Sequence, residues 1–204
     1  MTQPRNAILF DLGNVLVKWD LYAILGRFFP SPEAMHTFLA EVSFHEWNAH
    51  QDRGRPFADG IAILCDQHPQ HAHIFRHFHE HWEDSIQERI EENVALAARL
   101  KREGYPIFIL SNFSAETYPL TLARHPFLSM FDDAIVSGQI GLIKPEPAIF
   151  QYTLNRIGRA AGECLFIDDS LPNIETAQRL GLIAIHFRSP AQLQRDLQNL
   201  NILQ

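Results

Sequence analysis

Cysteine is nearly absent: Cys65 and Cys164 are the only two in 204 residues. They lie far apart and Cys164 falls inside an apolar run, so buried thiols are expected rather than a disulfide framework. Long hydrophobic runs are also missing. The best candidate, residues 7–17, is broken by Asp11, is too short to span a bilayer and carries no small-residue cleavage site, so neither a membrane helix nor a leader is expected. Positive charge is scarce, with 17 Lys and Arg against 24 Asp and Glu and a formal charge of −7. The cations are interspersed, which argues against a continuous basic surface for nucleic acid or anionic lipid. An anionic substrate would need local cationic help. Internal repeats and low-complexity tracts are lacking too. What remains is a cytoplasmic globular chain, long enough for one large domain or for one that carries an insertion.

Five short apolar runs, 7–10, 107–110, 134–136, 164–167 and 183–185, read as strands. Each is apolar almost without interruption, as in strands buried on both faces of a parallel sheet. Helical patterns separate them. Residues 91–103 place Val94, Ala97, Ala98 and Leu100 at helical spacing, with acids first, Lys101 and Arg102 last and Gly104 as the stop. A helix from near Pro172 ends at Gly181, and Ser189-Pro190 opens a terminal one. This alternation predicts an α/β fold, a Rossmann-like parallel sheet flanked by helices. Residues 18–87 break it, with aromatic-rich helical patterns punctuated by Pro30, Pro32, Pro56 and Pro69 and no convincing strand. Ser31 can cap a helix that starts at Pro32 and carries Phe38, Leu39 and Val42 on one side. The expected organisation is a discontinuous core, residues 1–17 and 88–204, with an inserted α-helical cap domain at 18–87 that closes over the end of the first strand.

Small polar groups stand at or just past the strand ends: Asp11, Ser111-Asn112 and Asp168-Asp169, with Lys144 just before Pro145. Taken singly, each has an ordinary reading. Asp11 and Ser111-Asn112 could cap a turn or helix, Lys144-Pro145-Glu146 could be a solvated loop, and adjacent acids are usually surface charge. Parallel strands point one way, however, so their C-terminal ends converge where open α/β sheets bind ligands. As a set the groups have a chemical logic. Asp11, Asp168 and Asp169 offer hard oxygen ligands for Mg²⁺. Ser111 and the backbone amides after it suit an anion, and Lys144 can neutralise charge on a phosphoryl group and an attacking carboxylate. Gly13 lets a ligand approach the backbone.

The stretches FDLGNVLV, ILSN, GLIKPEPAIF and FIDDSLPNI resemble, in order, the four motifs of the haloacid dehalogenase superfamily. The insertion after the first resembles the helical cap of subfamily I, and the resemblance covers the whole catalytic core. It implies that Asp11 is the nucleophile and that Ser111, with Asn112 beside it, and Lys144 bind the phosphoryl group. Asp11, Asp168, Asp169 and the Gly13 backbone carbonyl would serve magnesium. The implied activity is magnesium-dependent hydrolysis of a small phosphorylated metabolite through an aspartyl phosphate. One position departs from the pattern. Most phosphatases of the superfamily carry at position 13 a second aspartate that protonates the leaving group and then activates water; here it is Gly13. The same DLGNV pattern resembles bacterial α-D-glucose-1-phosphate phosphatases, whose anomeric leaving group needs little protonation; alternatively, a cap residue supplies the proton. Haloacid dehalogenation is the nearest enzymatic alternative, though a metal-free dehalogenase has no use for paired acids at 168 and 169. A weakened phosphometabolite-binding module is the other.

Substrate choice is expected from the cap segment 44–54. Trp47 can stack on a sugar face, Arg53 can reach the substrate, Glu46 or Asp52 can bond hydroxyls, and His45 or His50 can replace the missing acid. The ordinary reading makes Phe44 and Trp47 helix core. His73, His77 and His81 recur every four residues and share a helix face, yet without cysteine or a tetrahedral ligand set they read as solvent-facing cap residues. Expected partners are a small phosphorylated metabolite, no nucleic acid and no membrane, in a monomer or homodimer.

Overall fold

The computed structural model describes residues 6–203. The chain enters through β1 (Ala7–Phe10) and β2 (Val17–Trp19) and then passes through five helices, α1 (Tyr22–Leu25), α2 (Pro32–Glu41), α3 (Phe44–Asp52), α4 (Phe57–Gln67) and α5 (Ala72–Glu80). It returns through β3 (Ile86–Arg89) to α6 (Glu91–Arg102), β4 (Ile107–Ser111), α7 (Tyr118–Arg124), β5 (Asp133–Val136), α8 (Ser137–Ile140) and α9 (Pro147–Ile157). Strand β6 (Cys164–Asp168), α10 (Leu171–Arg179), β7 (Ile183–His186) and α11 (Pro190–Asn199) complete it.

The main sheet has the order β5-β4-β1-β6-β7 and every pairing in it is parallel. Strand β1 is central and wholly buried. Its side chains alternate between two apolar clusters: Ala7 and Leu9 join Phe150, Phe166 and Ile174, while Ile8 and Phe10 join a cluster that runs on into the cap aromatics. Because β4 lies on one side of β1 and β6 on the other, the loops leaving these three strands diverge and open a crevice above the sheet.

The cap is held by ring contacts among Phe44, Trp47, Phe57 and Phe78, with centroids 5.3–6.3 Å apart. Ser31 caps α2, its hydroxyl accepting from Ala34 N–H at 3.3 Å. The sequence suggests no strand between 18 and 87, but β2 and β3 form an antiparallel ribbon that straddles both ends of that segment, pairing Val17 with Arg89 and Trp19 with Ile86. Strands this short, with polar residues among them, carry too little apolar pattern to be read. His73 and His77 pack edge-on against Phe28, and His77 stacks on His81 at 4.1 Å. Among the described residues the side-chain group suited to a metal contains none of these histidines.

Candidate active site

The ends of β1, β4 and β6 deliver polar groups to the crevice. Asp11 directly follows β1, where its N–H donates to the Ile167 carbonyl of the neighbouring strand at 2.9 Å, and its Oδ1 accepts from Leu12 N–H at 2.7 Å. Ser111 ends β4 and Asp168 ends β6. Lys144 comes from the loop before α9 and is anchored by Asn112: its N–H donates to Asn112 Oδ1 at 2.8 Å, and Asn112 Nδ2 donates to its carbonyl at 2.9 Å. Asn112 thus acts on Lys144 as well as lining the crevice.

The Lys144 ammonium is buried and all three of its donors are used, on the Leu110 carbonyl at 2.9 Å, Asp11 Oδ1 at 2.9 Å and Asp168 Oδ2 at 2.6 Å. Burial disfavours the charge, but Asp11 and Asp168 together outweigh it and hold the ammonium above its ordinary range. Asp168 is itself saturated: Ser170 N–H and Asn173 Nδ2 donate to Oδ1, and Asn173 and Lys144 donate to Oδ2. Asp169 differs from it. It lines the cavity, and burial and the Asp168 charge raise its carboxyl while an Asn14 side-chain hydrogen bond and Lys144 lower it. Burial pushes Asp11 up to about 7 against the pull of Lys144, with Asp168 and Asp169 adding to the rise.

One ligand oxygen from each of Asp11, Asp168 and Asp169 lies within 4.8 Å of the others. Three carboxylates face one ammonium, so the cluster carries excess negative charge when ionised. A small divalent cation with oxygen ligands fits that donor set.

Above the cluster is a cavity of about 230 Å³. Its floor includes Asp11, Gly13, Ser111, Lys144 and Asp169; the cap side contributes Asn48, Asp52, Phe57 and Trp82, and the ribbon contributes Trp19 and Ile86. A Cβ built on Gly13 meets no atom within 4 Å, so that position opens into space.

Two of the substrate contacts expected from sequence lie elsewhere. Trp47 is 5% exposed, and its indole N–H donates to the Gly60 carbonyl at 2.7 Å within the cap core. Arg53 makes a two-pronged ion pair with Glu146 of the core, at 3.0 and 2.6 Å. Neither lines the cavity. His45 and His50 are exposed and are also outside it. Helix geometry explains the shift: Trp47 and Gln51 occupy the buried stripe of α3, and Asn48 and Asp52, one residue further on and about 100° around the axis, face the cavity. Trp19 and Trp82 supply the aromatic walls instead, which the sequence reading did not assign to the site. For Trp47→Ala we expect a loss of about 3–5 kcal/mol in urea unfolding with little change in KM, the signature of packing rather than substrate contact.

Residues 6–181 match the family described as haloacid dehalogenase-like hydrolase. The chain belongs to that family. Among relatives of this chain, the drimenol cyclase of Aspergillus calidoustus is 24% identical over 198 residues, covering 96% of this chain and 36% of the cyclase. The sesquiterpene phosphatase of Aspergillus oryzae is 26% identical over 106 residues, 52% of this chain and 54% of that one. The chain therefore spans about a third to a half of these curated relatives. A family enzyme from Bacteroides thetaiotaomicron, solved as a magnesium complex, superposes with a TM-score of 0.72 at 21% identity, covering 95% of this chain and all of the other; this likeness concerns the fold. Among the described residues no helix is long and apolar enough to cross a membrane.

Proposed function

We propose that this haloacid dehalogenase-like hydrolase is a magnesium-dependent phosphatase acting on a small phosphorylated metabolite. The observation that carries the reading is the buried Lys144 ammonium between Asp11 and Asp168, with Asp169 beside them, on the floor of a capped cavity. The phosphatase among the relatives supports it.

In this reading the Asp11 carboxylate attacks phosphorus and forms an aspartyl phosphate that water then cleaves. Lys144 holds Asp11 in place and offsets charge on the transferring group, and the Ser111 hydroxyl bonds a phosphoryl oxygen. Asp168 positions Lys144, since its own oxygens are already bonded. Asp11, Asp169 and the Gly13 carbonyl, with Asp168 close by, would hold magnesium. When bound, the metal would supply charge neutralisation between the carboxylate and the phosphoryl oxygens. The cavity is small, with indole walls at Trp19 and Trp82 and hydrogen-bonding groups at Asn48 and Asp52, which suits a sugar phosphate; α-glucose 1-phosphate is the first compound to test.

The test is a screen of sugar phosphates, nucleotides and phosphoserine with magnesium and with chelator, following inorganic phosphate and halide release together. Chelator-sensitive phosphate release supports the reading. Halide release from a haloacid without phosphatase activity replaces it with dehalogenation, and tight binding without turnover replaces it with a binding module. His45→Ala with His50→Ala is expected to leave the rate and its pH profile unchanged, because both side chains lie outside the cavity.

A further inference from the structure

Gly13 leaves the leaving-group proton without a carboxyl donor on that side of the cavity, and the cap histidines do not reach it. Asp52 does. It ends α3, lines the same cavity as Asp11, Gly13 and Lys144, and is drawn electrostatically by Lys144. Asn48 Nδ2 donates to its Oδ2 at 2.9 Å, which fixes the carboxyl on the cavity face of the helix.

The core pins this corner of the cap at three successive residues. The Ser137 hydroxyl donates to the Asp52 carbonyl, while its oxygen accepts from Phe113 N–H at 2.8 Å, two residues beyond Ser111. Arg53 clamps Glu146. Gly54, at φ +104°, passes so near the Gly138 carbonyl that a Cβ would sit 2.8 Å from its oxygen. Cap docking therefore sets the position of Asp52 relative to the phosphoryl-binding loop.

The geometry points to Asp52 as the general acid and base of this hydrolase, delivered from the cap to serve the cavity that Gly13 leaves open; the inference rests on the phosphatase reading. As the Asp11 oxygen bonds to phosphorus and the P–O bond to the leaving group breaks, the Asp52 carboxyl proton moves to the departing oxygen. The Asp52 carboxylate then takes a proton from water while the water oxygen bonds to phosphorus and the bond to Asp11 breaks. Phosphate leaves and the Asp52 carboxyl is restored. Burial pushes that carboxyl up to about 7 against the pull of Lys144, a value suited to giving and taking a proton near neutral pH. The charges around it are Lys144 from the core and the Arg53–Glu146 pair at the next residue.

The experiment compares the unaltered protein, Asp52→Asn and the double variant Asp52→Asn with Gly13→Asp on a series of phosphate monoesters, from alkyl esters to 2,4-dinitrophenyl phosphate. Asp52→Asn should lose on the order of 10²- to 10⁴-fold on alkyl esters and less than about 10-fold in first-turnover release of dinitrophenolate, whose leaving group needs no proton. The double variant should regain at least about 10-fold on alkyl esters, since an aspartate at 13 has room and points into the cavity. Equal loss across the series, or no loss on alkyl esters, overturns the assignment. So does a steep dependence of rate on leaving-group acidity in the unaltered protein, a measurement that needs no variant. Failure of the unaltered protein to release phosphate from any monoester overturns the phosphatase reading itself, and is distinguishable from failure of Asp52 alone.

Discussion

Asp11→Asn is expected to lower phosphate release on the order of 10⁴- to 10⁶-fold while the protein keeps its fold. In the proposed reaction an amide at this position cannot form the acyl phosphate, and the other groups would act on a phosphoryl transfer that this oxygen begins. The fold should survive because asparagine is isosteric and its side-chain oxygen can still accept from Leu12 N–H and from Lys144. The check pairs single-turnover phosphate release with circular dichroism and a urea melt. Substantial turnover in a folded variant would remove Asp11 from the role of nucleophile. Trapping ³²P on the unaltered protein but not on the variant would support the covalent step.

Lys144→Met should destabilise the fold strongly and in a pH-dependent way. The lysine side chain is 1% exposed and lies within 2.9 Å of Asp11 and 2.6 Å of Asp168, so its removal leaves two buried carboxylates facing each other without a cation. Breaking a buried ion pair in this way costs about 3–5 kcal/mol. The pH dependence has a definite sign. Asp11 is already pushed up to about 7 by burial, and Lys144 is what pulls it down. Without that pull the folded-state value rises further, so the folded state holds a proton that the unfolded chain has released. Stability from such a group is present below the unfolded carboxylate range and is lost as pH rises through the folded value. The variant's deficit should therefore be larger near about pH 8 than near about pH 5. Urea unfolding in chelator at both pH values measures it. A deficit independent of pH would show that Lys144 acts through packing alone.

The core was readable because its strands are buried on both faces. A strand such as β1, with all four residues buried, must be apolar throughout, and that leaves a clear mark in a linear sequence. The same logic placed Asp11, Ser111, Asp168 and Asp169, since polar residues directly after such runs stand at strand ends, and the structure brings them together with Lys144. Asn173 offers two readings in the sequence, support for the acids at 168 and 169 or a place in the first turn of its helix; its bonds to both oxygens of Asp168 at 3.0 Å decide for the first.

The cap was less readable for a physical reason. Its helices are rich in aromatics on more than one face, so composition did not distinguish rings that fill its core from rings that line the cavity. Trp47 and Trp82 look alike in sequence, yet the first donates its indole N–H within the cap and the second reaches the cavity and packs against Phe113 of the core at 5.5 Å. A shift of one residue on α3, about 100° of rotation, exchanged the expected contact at Trp47 for Asn48, which faces the cavity beside the expected Asp52.

The sequence alone determined the alternating α/β core, the inserted cap and the strand-end acids, because burial and strand polarity act locally on residue type. Tertiary structure decided which lysine neighbour is saturated, which cap residues face the cavity and how the cap is pinned to the core at residues 52–54. Those depend on helix rotation and on contacts between segments some 85 to 93 residues apart, for which no local pattern exists.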